Sequence, residues 1–189
     1  ASFMLLQTYK EFPNDEQFSS LFVIHDMYNM RTRNYVLSRL ENYDNKAPIN
    51  IGNYTIEHIM PQNKNLSEEW QKELGDNWKE IQKMYIHTIG NLTLTAYNSE
   101  MSDHSFEEKM NMEGGFKESA LRLNKYVVSV SEWNEEHIKE RAKQLCDKAL
   151  KIWPYPDLTD EVLESYKPDE NTSQEYSLET YDMSSLSKT

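Results

Sequence analysis

The sequence predicts a mainly helical α+β domain built around one small β-hairpin. Three observations lead there. Apolar residues recur at helical spacing through most of residues 1–156, two short β-rich stretches interrupt them at 54–59 and 89–95, and the periodicity fades after Asp157. About six helices are expected around the hairpin, and the chain divides into a domain over 1–156 and an acidic linker or tail over 157–189.

Each element has its own local signal. Residues 16–28 place Phe18, Leu21, Phe22 and His25 on one helical face, and 32–43 repeat the pattern with Val36, Leu40 and Tyr43. Residues 42–53, with Pro48 and Gly52, read as a connector. Tyr54-Thr55-Ile56-Glu57-His58-Ile59 reads as a strand ending near the Glu-His pair, stopped by Pro61. Ser67 opens a short helix that Gly75 ends, and helix resumes from Asn77 to Tyr85. Ile89-Gly90-Asn91-Leu92-Thr93-Leu94-Thr95 alternates as a second strand should, and 97–112 turns helical with a break over 102–105. Asn134 is placed as an N-cap, with Trp133 and Ile138 as its hydrophobic staple. Ile138, Ala142, Leu145, Ala149 and Ile152 then form the buried stripe of a helix that Pro154 ends.

Composition narrows the function classes. No apolar run is long enough for a membrane span, and the first residues lack the pattern of a signal peptide. The single cysteine, Cys146, excludes an internal disulfide and a multi-cysteine zinc site, so a reducing, cytoplasmic setting is expected. The net charge of −12 argues against a strongly basic nucleic-acid surface. Residues 157–189 hold nine acids and two lysines, a net of −7, which leaves −5 for the rest. A linker to a further C-terminal domain is the expected role of that tail.

The residues able to do chemistry lie in order along the chain. Glu57 and His58 end the first strand, Asn91 stands beside Gly90 ahead of the second, and Asn98 follows on a helix. A hairpin followed by a helix can converge a carboxylate, an imidazole and an amide on one cleft. Consecutive strand residues point to opposite faces, so Glu57 and His58 can share a site only where the strand ends or bends. His87 reads as a packed or hydrogen-bonded histidine, and His25 and His137 as structural.

Glu-His-Ile-x-Pro-Gln, then Gly-Asn-Leu-Thr-Leu, then a downstream Asn resembles the C-terminal HNH (His-Me finger) nuclease domain of GmrSD-type modification-dependent restriction endonucleases. The resemblance runs from about Tyr35 through Trp153, because Phe106-x-x-Lys109, Trp133, Arg141 and Trp153-Pro154 also match. It implies a ββα-metal centre that hydrolyses DNA phosphodiester bonds in bacterial anti-phage restriction. An N-terminal nucleotide-dependent domain of a larger parent protein is the implied partner besides DNA. His58 would be the general base, with neutral imidazole available because an unperturbed histidine has a pKa near 6.5. Glu57 and Asn98 would hold one Mg²⁺ or Mn²⁺, as oxygen donors suit hard cations. Asn91 would brace the loop that carries His58. His104 or Asp103 could replace or join Asn98 at the ion, and Lys109 and Arg141 are candidates for phosphate contact.

Two departures from the superfamily pattern stand out. Glu57 occupies a position where many members have Asp, and zinc-knuckle cysteines are absent, which leaves helices to support the hairpin. The alternatives are an RNA-cleaving enzyme with the same site, or an inactive assembly or regulatory module.

Overall fold

A computed structural model describes residues 13–165. It contains α1 (Asp15–Phe22), α2 (Arg33–Asn42), β1 (Thr55–His58), α3 (Glu68–Leu74), α4 (Trp78–Tyr85), β2 (Leu92–Thr95), α5 (Asn98–Met101), α6 (Phe106–Asn111), α7 (Glu135–Ile152) and α8 (Asp160–Ser165). The first nine of these lie in one unit, Pro13–Tyr155. The chain from Pro156 belongs to a separate unit, described as far as Ser165, and most of the expected acidic tail lies outside the described residues.

The sheet is the expected antiparallel pair, with Thr55 opposite Thr95, Ile56 opposite Leu94, Glu57 opposite Thr93 and His58 opposite Leu92. Seven α-helices, among the described residues, stand where about six were expected in this unit. The caps explain several boundaries. Asn14 and Gln17 form a reciprocal capping box at α1, and Ser105 and Glu108 form one at α6. Ser67 caps α3 and Gly75, at φ 81°, ends it in a backbone conformation that favours glycine. The side chain of Asn134 accepts the His137 N–H at 3.1 Å, as the sequence indicates.

One stretch differs from the sequence reading, and a second, after residue 112, is given no element there. The first helix stops at Phe22 instead of running to Tyr28, because the Met27 and Tyr28 N–H groups donate to the His87 carbonyl at 2.9 and 3.3 Å. Those bonds tie the loop after α1 to the turn before β2. Residues 112–132, which lack a helical or strand period, fold as three short 3₁₀ turns that bury Phe116, Leu123 and Val127.

Two apolar clusters flank the hairpin. One joins α1, α2, β2 and one side of α7 through Phe22, Leu37, Leu40, Leu92, Leu94 and Leu145. The other joins α3, α4, α5, α6 and the start of α7 through Trp70, Ile81, Met101, Phe106, Trp133 and Ile138. Helix α7 therefore spans both, and Gly90 lets it approach the hairpin closely. A Cβ at Gly90 would overlap the Ile138 carbonyl oxygen and crowd the Ala142 methyl.

Candidate active site

β1 carries Glu57 and His58 into two different environments, as strand alternation requires. Each is only 4% exposed. The Glu57 side has a carboxylate, an amide and an ammonium in direct contact. Lys109 Nζ on α6 lies 2.5 Å from Glu57 Oε1, and Asn98 Nδ2 at the start of α5 donates to Glu57 Oε2 at 2.8 Å. The Asn98 amide also donates to the Ile56 carbonyl at 2.7 Å. Lys109, fully buried, donates as well to the carbonyls of His58 and Ile59, at 2.9 and 3.2 Å. Burial pushes Glu57 up and Lys109 down from their ordinary pKa values, each toward its neutral form, while their mutual attraction opposes both shifts.

The His58 side is aromatic. His58 Nε2 lies 3.1 Å from His87 Nδ1, so one of the two rings donates to the other. Tyr28 meets His58 edge-on at 4.6 Å between centroids and stacks on His87 at 5.1 Å with 12° between planes. His58 Nδ1 makes no hydrogen bond among the described residues. Burial, then the charges of His87 and Lys109, lower the His58 pKa to about 3, against a smaller opposing pull from Asp26. The fold does not leave the unperturbed imidazole expected from the sequence. His58 stays neutral through the physiological range, and its basicity is reduced.

Asn91 is completely buried and joins the two arms of the hairpin. Its Oδ1 accepts from the Met60 N–H at 2.8 Å and from Trp133 Nε1 at 3.1 Å. Its Nδ2 donates to the carbonyls of Met60 and Ile86, at 3.0 and 3.1 Å. These four bonds fix the segment that follows His58 onto the turn that precedes β2. Arg141 supports the same turn from α7, donating to the carbonyls of Ile89 and Gly90 at 2.9 and 2.7 Å.

The fold thus joins Glu57 to Asn98, while the His58 imidazole takes different partners. Asp103, exposed, accepts from Asn63 at 2.8 Å and acts electrostatically on Glu57 and Lys109. The His104 imidazole makes no hydrogen bond to Glu57, His58 or Asn98; its backbone carbonyl accepts from Trp70 Nε1 at 3.0 Å. Lys109 and Arg141, the candidates for phosphate contact, are 0% and 1% exposed; Lys109 donates to Glu57 and to backbone carbonyls, and Arg141 donates to backbone carbonyls through both Nη atoms while its Nε has no partner. Their spacing resembles that of surface cations, and only the tertiary packing removes them from solvent.

The sequence marks His87 as a packed or hydrogen-bonded histidine without naming His58 as its partner, and it gives Tyr28 no functional place. The local signal for His87 is its place four residues before Asn91, inside the turn that Asn91 locks. Tyr28 has no such signal, since its position follows from where α1 stops.

No group of three or more His, Cys, Asp or Glu placed to hold a metal occurs among the described residues. Both Glu57 oxygens are engaged, Oε2 by the Asn98 Nδ2 amide and Oε1 by Lys109, so oxygen donors suited to a hard divalent ion are present and an ion there would need the Asn98 amide turned to offer its Oδ1. No helix among the described residues is long and apolar enough to cross a membrane.

Compared with known families, residues 12–148 match the GmrSD restriction endonucleases, C-terminal domain. No curated protein and no solved structure matches the chain.

Proposed function

The chain belongs to the family of GmrSD restriction endonuclease C-terminal domains, and on that footing we propose that it is a divalent-metal-dependent endonuclease of the HNH (His-Me finger) type. Its substrate is DNA, cut at phosphodiester bonds in bacterial defence against phage, with the target selected by the nucleotide-dependent N-terminal domain of a parent protein. The observation that carries this reading is the meeting of Glu57 with Asn98 at the end of a hairpin whose next residue is a neutral, geometrically fixed histidine.

His58 is the general base. With His87 occupying Nε2, Nδ1 is the nitrogen left to accept a proton from water, which requires His58 to donate through Nε2. A phosphodiester brought against the imidazole adds negative charge and raises its proton affinity, opposing the effect of burial and Lys109. Glu57 and Asn98 would hold one Mg²⁺ or Mn²⁺, which would supply charge stabilisation at the phosphate and the leaving oxygen. Lys109 balances the Glu57 charge in the free domain. Asn91 keeps His58 in place through the Met60 backbone.

The test is nicking of plasmid DNA, with an RNA of equal length in parallel, by the wild type and by His58→Asn in Mg²⁺ or Mn²⁺. The variant is expected to lose about 10²–10⁴-fold in rate, the range of a general base, while its circular dichroism is unchanged. Cutting by a folded His58→Asn protein at the wild-type rate refutes the assignment of the base. Wild-type cutting that persists in EDTA refutes the role of the ion, and cleavage of RNA alone refutes DNA as substrate.

A further inference from the structure

The chain has a net charge of −12, yet four of its cations converge on one cleft of about 350 Å³ away from Glu57 and His58. Arg141 and Lys148, about two turns apart on α7, stand on one helical face, and Arg122 and Lys125 reach the same cleft from the 3₁₀ turn at 122–124 and its end. Asp44 is the only carboxylate in the lining. None of the four cations has a carboxylate within ion-pair distance among the described residues, where the ion pairs are Lys109–Glu57 and Lys139–Glu135.

The nearest buried acid is committed elsewhere. Glu41, 2% exposed, accepts the backbone N–H groups of Arg122 and Leu123, both at 2.8 Å, and so holds the 122–124 turn against α2. Arg141 forms the floor of the cleft. It is 1% exposed, its partners are the neutral carbonyls of Ile89, Gly90 and Leu123, and its Nε has no hydrogen-bond partner. A buried guanidinium held only by neutral dipoles, with one donor unused, keeps its full charge uncompensated. Lys148 feels this: burial lowers its pKa, Glu41 opposes the shift, and Arg141, Arg122 and Lys125 each deepen it. Gathering like charges this way costs free energy that a bound anion would relieve.

We propose that this cleft is a binding site for a phosphate ester, seated by Arg122, Lys125 and Lys148 over the Arg141 floor. Arg122 Nη1 donates to the carbonyls of Tyr43 and Asp44 at 2.9 and 3.0 Å, so these cations meet neutral acceptors and, among the described residues, no carboxylate, and oxyanions are the chemistry that matches such a wall. The volume lies at the small end of ligand sites, room for a phosphate with its sugar, and Tyr43 and Tyr126 are also in its lining. The phosphate can come from a nucleic-acid strand or from a free nucleotide. The site shares no residue with the Glu57–Asn98–His58 region and does not depend on the hydrolytic reading.

Calorimetry on the full chain in EDTA tests it, with pyrophosphate, AMP and a 12-nucleotide single-stranded DNA as probes. The double variant Lys125→Gln/Lys148→Gln removes two cations whose side chains hold little structure; the bond from Lys148 Nζ to the Leu40 carbonyl is 3.5 Å long. Lys79→Gln/Lys83→Gln removes the same charge from exposed positions on α4. Wild type is expected to bind at least one probe with an affinity that falls as salt rises, and the Lys125/Lys148 variant to bind it about tenfold or more weakly at an unchanged unfolding midpoint. Competition between AMP and the oligonucleotide identifies a nucleotide-sized site, and binding of the oligonucleotide alone identifies a strand. The proposal is overturned if no probe binds the wild type at millimolar concentration, or if the Lys79/Lys83 variant loses as much as the Lys125/Lys148 variant.

Discussion

Replacing Lys109 by Met removes the one positive charge that touches Glu57 and keeps most of the volume. The ammonium makes three bonds: 2.5 Å to the carboxylate and 2.9 and 3.2 Å to two carbonyls, all in a site sealed from solvent. Removing one partner of such a pair leaves the other charge buried and uncompensated, at a cost of about 3–5 kcal/mol. That is a large part of the roughly 5–15 kcal/mol that holds a domain folded. The sign of the pH dependence follows from Glu57. Burial already raises its pKa, and without Lys109 it rises further, so the folded variant binds a proton that the unfolded chain releases. Stability lost at pH 7.5 is therefore recovered as pH falls toward the ordinary carboxylate range. Glu57→Gln in the same chain gives Asn98 a neutral acceptor and removes the orphaned charge, so Lys109→Met/Glu57→Gln should be more stable than Lys109→Met alone. Urea unfolding followed by tryptophan fluorescence at pH 7.5 and 5.0 reads all three effects. A Lys109→Met protein that loses less than about 1 kcal/mol, or a double variant that loses the sum of the singles, refutes the reasoning.

Three further outcomes are expected. His87→Phe keeps a ring beside Tyr28 but removes the partner of His58 Nε2, and should slow cleavage about tenfold or more, whereas His87→Asn can keep an acceptor near that nitrogen and should retain most of the rate; equal rates for the two in a plasmid assay remove His87 from the mechanism. His58 is buried neutral, with a folded pKa of about 3 against 6.5 when exposed, so its contribution is present above 6.5 and lost as pH falls toward 3, by up to about 5 kcal/mol; urea midpoints between pH 7 and 4 should fall less steeply in His58→Asn than in wild type. Gly90→Ala should lower stability by about 1–3 kcal/mol, read by thermal melting, because the new methyl meets the α7 backbone.

Much of the fold is written in short-range patterns. The Asn134 cap, the Ser67 start and Gly75 stop of α3, the break between α5 and α6, and the alternation of both strands each depend on residues within a few positions of one another. Side-chain hydrogen bonds to neighbouring N–H groups and the 3.6 or 2.0 residue period carry that information, and no distant partner is needed. Residues 112–132 carry no such period, because 3₁₀ turns bury single side chains at irregular intervals.

The sequence by itself determined the two strands, most of the helix positions, and the order of Glu57, His58, Asn91 and Asn98 that identifies the family. Tertiary structure alone decided which of those groups touch. It set Lys109 against Glu57 across fifty-one intervening residues, turned His58 toward His87 and Tyr28, and buried Arg141 under the turn at Gly90. The physical reason is the range of the forces involved. Periodicity and capping act within one or two turns of chain, whereas burial of a charge, and so its pKa and its partners, depends on how distant elements exclude water together.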